Sequence, residues 1–200
     1  MIDLLRHSET EFNKLGKYQG LLDSPLTPLD RAQVSQNSVL LKQQLTDTQN
    51  IKIYSSPLGR AMESAKILYQ YLNYPFDDVI IDQRLQKVDL GDWSGHSFSE
   101  LKQDYPQTLA TANQFHWYFH SPTGECYDLV MTRCRNCLKD IDSEKCTIVV
   151  NHGLLGRILR GAYANLEETN TLEQDVPQKG FYRLKNQKIS YCTDDFEHYT

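Results

Sequence analysis

No apolar run in this chain approaches the ~20 residues that a membrane-spanning helix requires, and Asp3 interrupts the first aliphatic stretch at once. No basic leader precedes that stretch, so a signal-peptide pattern is lacking and a soluble, cytoplasmic protein is expected. Proline and glycine are sparse, at 7 and 10 of 200 residues, which excludes collagen-like and low-complexity classes. Basic residues are outnumbered, 21 against 26 acidic, for a net charge of −5. That balance argues against a general nucleic-acid binder but leaves room for a local basic pocket. Internal repeats and linker-like shifts in composition are also missing, so residues 1–200 are expected to form one domain, long enough for a sizeable core.

Cysteine is scarce too. The five residues Cys126, Cys134, Cys137, Cys146 and Cys192 are odd in number and follow no framework spacing, as suits a reducing compartment. "CRNC" (134–137) has redox or zinc spacing, but no second pair completes a four-ligand site. It lies where Leu129, Val130, Cys134, Cys137, Leu138 and Ile141 recur at helical intervals, so these thiols read as small buried hydrophobes.

Short strands are legible at 1–6, "IKIYSS" (51–56) and "TIVV" (147–150); the last is apolar on both faces, as a covered strand should be. Helices start legibly between them. Thr27 caps one, with Pro28 in its first turn and Asp30 three residues on, running to about Leu45. Ser56-Pro57 opens the next, in which Leu58, Ala61, Met62, Ala65, Leu68, Tyr69 and Leu72 keep the 3.6-residue period. "ECYDLVMTRCRNCLKDI" and "GLLGRILRGAY" are two more, and "FYRL" and "KISYC" flank 185–187 as a hairpin. Strands alternating with amphipathic helices predict an α/β fold, a three-layer sandwich with a mostly parallel central sheet.

Each of three strand-to-helix junctions carries a cation or an imidazole. The first strand ends in Arg6-His7, which in isolation would read as a basic surface turn. "SSPLGRA" puts Arg60 in the first turn of its helix, and "NHGLLGR" puts His152 at a strand end with Gly153 opening the helix. Ligands of open α/β sheets bind beyond the carboxyl ends of the strands, where helix N-termini attract anions. Two arginines and two histidines at one edge predict a phosphate pocket.

These residues resemble a known family. "LLRHSET", "SSPLGRAMESA" and "VVNHGLLGRIL" resemble the ordered blocks of the histidine phosphatases, the phosphoglycerate mutase-like superfamily. Asn13, Gln19-Gly20, "DSPLTPLDRAQ", "RLQKVDLGDWSG" and "PTGE" fall in the same order, so the resemblance covers nearly the whole chain. It implies that His7 is the nucleophile carrying a transient phosphohistidine, that Arg6 and Arg60 hold the phosphoryl oxygens, and that His152 donates to the developing charge. Asn13, Gln19 and Gly153 would add substrate-binding contacts. No metal or other cofactor is implied.

Two positions depart from the family pattern. Ser8 replaces a glycine. Lys87 stands where the family carries the glutamate that protonates the leaving oxygen, and general acid catalysis contributes ~10²–10⁴-fold. Either Asp89, the nearest carboxylate, substitutes, or Lys87 itself acts with a depressed pKa, or the protein binds phosphate with little turnover. The implied partner is a small phosphorylated metabolite, with a homodimer as one option and neither nucleic acid nor membrane. "LGDW" and "PTGE" most resemble α-ribazole-5′-phosphate phosphatases of cobalamin nucleotide-loop assembly; a broad sugar-phosphate phosphatase or a mutase-type enzyme shares the same blocks. Residues 94–121, with Phe98, Tyr105, Phe115, Trp117, Tyr118 and Phe119, predict a helical lid whose rings either set specificity or pack as a subdomain core. His96, His116, His120 and His198 read as surface or substrate-rim groups.

Overall fold

The computed structural model of the chain describes residues 1–7, 9–45, 50–141 and 145–194, with the backbone alone at 198–199. Ser8 lies outside the described residues, as does the side chain of His198. Four strands, β1 (Ile2–Arg6), β2 (Ile51–Ser55), β3 (Ile80–Ile81) and β4 (Cys146–Asn151), lie in the order β3-β2-β4-β1 and pair in parallel. Beyond β1 the sheet continues with β5 (Phe181–Lys185), β6 (Lys188–Cys192) and β7 (His198–Tyr199), each antiparallel to its neighbour. Strands β1, β2, β3, β4 and β6 therefore point one way, and only β5 and β7 the other. The sheet is mostly parallel. Neither two-residue strand, β3 or β7, carries enough pattern to be read from sequence.

Parallel neighbours need long crossovers, which the helices supply. They are α1 (Glu11–Lys14), α2 (Pro28–Gln44), α3 (Gly59–Leu72), α4 (Phe98–Asp104), α5 (Pro106–Ala110), α6 (Tyr127–Asp140), α7 (Gly153–Ala164) and α8 (Glu168–Glu173). Side chains along a strand alternate between faces. Leu5, Ile53, Ile148 and Val150 accordingly pack with Leu41 of α2 and Leu68 of α3. Leu4, Tyr54 and Val149 face the other way, onto Val130 and Cys134 of α6 and Leu155 and Ile158 of α7. These are the three layers of the expected sandwich. Cys134 and Cys137 sit in the α6 core face, and burial pushes both thiols up to about 12, so they are inert packing groups.

Thr27 caps α2 as expected, accepting the Asp30 N–H, with Pro28 at the first helical position. The start of α3 differs. Its N-cap is Leu58, with no side-chain cap, and Ser56 Oγ accepts the Leu58 N–H at 3.3 Å one turn earlier. Ser56 also bonds to His152.

Residues 94–121 hold α4, α5 and a short 3-10 turn at Trp117–His120. Their rings divide between a buried core and a cavity wall. Trp117 is buried with Leu90, Trp93 and Leu101, its ring 5.9 Å from that of Trp93, whereas Tyr118 reaches the main cavity. His116 lies against α8. Its Nε2 lies 2.6 Å from Glu168 Oε1 and its Nδ1 3.2 Å from His120 Nε2, so the pair braces this segment onto α8.

One buried ion pair joins the parallel half of the sheet to its antiparallel extension. Asp3 and Arg183 face each other across β1 and β5; the fully buried carboxylate accepts from Nε at 2.9 Å and Nη2 at 3.0 Å. Removing one partner of such a pair strands the other charge. Arg183→Met is expected to cost about 3–5 kcal/mol in a denaturant titration, and a loss below about 1 kcal/mol would show that the pair behaves like an exposed one.

Candidate active site

Strand register builds the site. Arg6 lies opposite Asn151, and the His7 N–H donates to the Asn151 carbonyl at 3.0 Å. On the other side of β4, the Ser56 N–H donates to Val150 O at 3.0 Å. The ends of β1, β4 and β2 are thus adjacent at the carboxyl edge, and His7 and His152 lie with ring centroids 4.8 Å apart. Both are buried, His7 at 4% exposure and His152 at 0%.

A cavity of about 220 Å³ opens at this edge, lined by Arg6, His7, Asn13, Tyr18, Lys87, Tyr118, Gly153, Leu154, Arg157 and Val176. Arg6 reaches it across the N-terminus of α7. Its Nη1 donates to Val176 O at 2.9 Å, and a Cβ on Gly153 would sit 2.7 Å from Val176 and 3.2 Å from Arg6 Nε. Glycine at 153 therefore lets the guanidinium lie against the helix start. Burial, and then Arg157, push Arg6 down to about 10, which leaves it charged at neutral pH.

Asn13 is oriented by its neighbours. Its Oδ1 accepts from both the N–H (3.2 Å) and the hydroxyl (3.0 Å) of Thr10, so its amide N–H₂ is the end left to donate to an anion. Gln19, expected to bind substrate, is not in the cavity wall. It is fully buried and its Nε2 donates to Thr10 Oγ1, so it holds Thr10 and through it Asn13.

Arg60 is 1% exposed and, like His152, is not among the residues that line the cavity. Its Nη1 donates to Leu22 O at 2.8 Å and Asp23 Oδ1 at 3.0 Å, and its Nη2 to Gly20 O at 3.1 Å. The fork clamps the 20–23 loop, while its charge still acts on Lys87 and His152. Arg6 Nε, Arg60 Nε and His152 Nδ1 are buried without a protein hydrogen-bond partner.

His152 Nε2 lies 2.7 Å from Ser56 Oγ. Complete burial, then the neighbouring His7, Arg60 and Lys87, hold its pKa well below the ordinary imidazole value, so it is neutral at pH 7. It works by hydrogen bonding, not as a cation.

Lys87 lines the cavity, half-buried, and no carboxylate among the described residues pairs with it. Burial, then Arg60 and Arg6, push its ammonium down to about 7. Arg133 fixes the backbone that carries it, donating from Nη1 to Arg84 O at 2.5 Å and Gln86 O at 2.9 Å and pairing with Glu125. Asp89 corrects the other expectation for this segment. It does not reach the cavity lining: its Oδ1 accepts the Gly91 N–H at 2.9 Å, and its own N–H and carbonyl are both bonded to Glu125. The turn into Leu90–Trp93 draws that carboxylate into a local cap.

Sequence reasoning passed over Ser56 as a partner of His152, and Arg157 and Tyr18 as cavity residues. Arg157 had a signal, since it falls one turn after Gly153 on α7. Among the described residues, no group of three or more His, Cys, Asp or Glu side chains could hold a metal ion. The charge at the cavity comes from guanidinium and ammonium groups.

The profile of the histidine phosphatase superfamily (branch 1) matches residues 2–188. Phosphoserine phosphatase 1 of Hydrogenobacter thermophilus is 31% identical over 152 residues, covering 74% of this chain and 69% of that protein. The glucosyl-3-phosphoglycerate phosphatase of Mycolicibacterium vanbaalenii is 31% identical over 178 residues, 84% of this chain and 75% of that protein. A solved structure from Escherichia coli K-12, whose assignment as an α-ribazole-5′-P phosphatase is provisional, superposes with a TM-score of 0.78 over 100% of this chain and 93% of its own. At 20% identity, that likeness shows the fold alone.

A depressed lysine pKa is also a statement about stability. Between about 7 and the ordinary 10.5, the unfolded chain holds a proton on Lys87 that the folded one lacks, so this group makes the fold more stable as pH rises. Lys87→Met should therefore raise Tm at pH 6, by about 2–4 °C for each kcal/mol recovered, with the gain shrinking towards pH 9. A gain independent of pH in calorimetry would mean that the ammonium is not held in this environment.

Proposed function

Because the chain belongs to the histidine phosphatase superfamily, we propose that this member of a phosphomonoester-hydrolysing family works through a phosphohistidine on His7, with Lys87 moving the proton. One observation carries the reading: His7, Arg6, Asn13 and Lys87 line the same cavity, with the ring of His152 4.8 Å behind that of His7.

In the first step a ring nitrogen of His7 attacks phosphorus and the bond to the ester oxygen breaks. Arg6 and the Asn13 amide hold the phosphoryl oxygens, and neutral His152 donates a hydrogen bond without repelling the imidazolium that forms on His7. The departing oxygen takes a proton from the Lys87 ammonium. A dianionic phosphoryl group beside Lys87 opposes the two arginines that depress its pKa, so substrate itself recharges the amine. In the second step water attacks the phosphohistidine, gives its proton to the Lys87 amine, and phosphate leaves with both residues restored. One amine thus does in sequence what the family's glutamate does.

α-Ribazole-5′-phosphate is the substrate that the "LGDW" and "PTGE" blocks suggest; the E. coli neighbour supports it by fold only. The two relatives named above, a phosphoserine phosphatase and a glucosyl-3-phosphoglycerate phosphatase, add phosphoserine and glucosyl-3-phosphoglycerate to the substrates to test. Lys87 in the acid's position also favours a second reading, a phosphate-binding protein with little turnover.

Leaving groups separate the two. An alkyl ester needs protonation of its departing oxygen, whereas an aryl phosphate needs little. Lys87→Met should lower kcat/KM on alkyl esters by about 10²–10³-fold, and far less on p-nitrophenyl phosphate. Lys87→Glu should restore the alkyl activity. An unchanged alkyl-to-aryl ratio in Lys87→Met would remove Lys87 as proton donor, and phosphate binding without hydrolysis of either ester would establish the second reading.

A further inference from the structure

Lys87 brings to the cavity a group that a carboxylate in its position could not supply, a primary amine. It stands in the same wall as Arg6 and Asn13, the groups read above as holding the phosphoryl oxygens, and Leu154 and Val176 make part of that wall apolar. Burial, and then the guanidiniums of Arg60 and Arg6, push the ammonium down to about 7, so near neutral pH a large share of the amine carries no proton. A desolvated lysine beside other cations is the setting in which an amine becomes a nucleophile towards a carbonyl carbon. An arriving phosphate opposes the two arginines, but it does not remove the burial, which is the larger cause. The amine therefore stays easier to deprotonate than an exposed lysine even with an anion beside it. Two hydroxyls complete the set. Tyr18 and Tyr118 line the same cavity with rings 6.4 Å apart, and burial raises both above the ordinary phenol range, so each keeps a proton to donate.

We propose that this site captures small phosphorylated aldehydes covalently, with Arg6 and the Asn13 amide holding the phosphate while Lys87 forms an imine with the carbonyl. The amine nitrogen attacks the carbonyl carbon, and a C–N bond forms as the C=O bond opens to a carbinolamine. The remaining C–O bond then breaks, the oxygen leaves as water with both amine protons, and a C=N bond is left. A tyrosine hydroxyl of the same wall relays the proton that the departing oxygen takes up. No electrons are gained or lost, and water reverses the step, so the capture is reversible. A cavity of about 220 Å³ limits the class to aldehydes of a few carbons. Such a compound fills the phosphomonoester site and ties up the amine that moves the proton, so it inhibits hydrolysis. The inference goes beyond the phosphatase reading and shares with it only the binding of phosphate by Arg6 and Asn13.

3-Oxopropylphosphonate tests it on the intact protein, because its C–P bond is not cleaved as a phosphate ester is. With cyanoborohydride present at pH 7 to reduce the imine, mass spectrometry should find one added 3-phosphonopropyl group, mapped by fragmentation to Lys87. Lys87 should be labelled roughly tenfold faster or more than by propanal, which has no anion to hold it in place. Inorganic phosphate or 3-hydroxypropylphosphonate should slow the labelling by a similar factor. Lys87→Arg, which keeps a cation but lacks the amine, should show no rapidly labelled position. Adducts spread over surface lysines with Lys87 no faster than the rest, or labelling of Lys87 that phosphate does not slow, would overturn the inference. Inhibition of p-nitrophenyl phosphate hydrolysis by 3-hydroxypropylphosphonate, with no adduct on Lys87 from the aldehyde, would overturn this inference alone. Rapid labelling of Lys87 in protein that hydrolyses no ester would support it and overturn the phosphatase reading.

Discussion

The parallel ladder between β1 and β4 is the constraint on which the site depends. With Arg6 opposite Asn151, the residues immediately after each strand, His7 and His152, emerge side by side, and the His7 N–H closes the ladder on Asn151 O. A slip of one residue would turn every β1 side chain to the opposite face. Leu5 would leave the α2–α3 core and Asp3 would lose its place opposite Arg183. The hydrophobic pattern and a buried ion pair thus hold in register what the chemistry needs at the strand ends. Ser56, bonded to Val150 through its N–H and to His152 through its hydroxyl, ties β2 into the same arrangement.

Charge is the second theme. Arg60 is neutralised in part by Asp23 and serves a loop, whereas Arg6, Lys87 and Arg157 meet in one cavity with no acid among the described residues of its wall, though Glu9 and Asp30 act on Arg6 from outside it. Placing lysine where the family has glutamate makes sense in that setting. An amine among the same cations is driven towards neutrality and recharged by an arriving dianion. Placement and electrostatics both suit Lys87 to the proton transfer, and Asp89 is held aside by the turn it caps.

Much of this was legible in the sequence for local reasons. The Thr27 cap, the apolar run of β4 and the strand-to-helix positions of Arg6, His7, His152 and Gly153 follow from chain-local rules, and each is found where those rules put it. What escaped was decided by contacts distant in sequence. Whether Arg60 faced ligand or loop depended on the carbonyls of Leu22 and Gly20, about forty residues away. Gln19 was drawn to Thr10, and Ser56 bonds to His152 as well as to the start of its helix. Spacing alone places a Cα on the correct edge. It does not say which neighbour captures a polar tip once it is there.

The central claim is that phosphate passes through His7. The most direct measurement is mass spectrometry of the protein quenched without acid during turnover of a phosphomonoester. The account predicts one added phosphoryl group, mapped by fragmentation to His7, formed within the first turnover and absent from His7→Ala. Catalytic turnover by wild-type protein with no phosphorylated histidine, or undiminished turnover by His7→Ala, would contradict it.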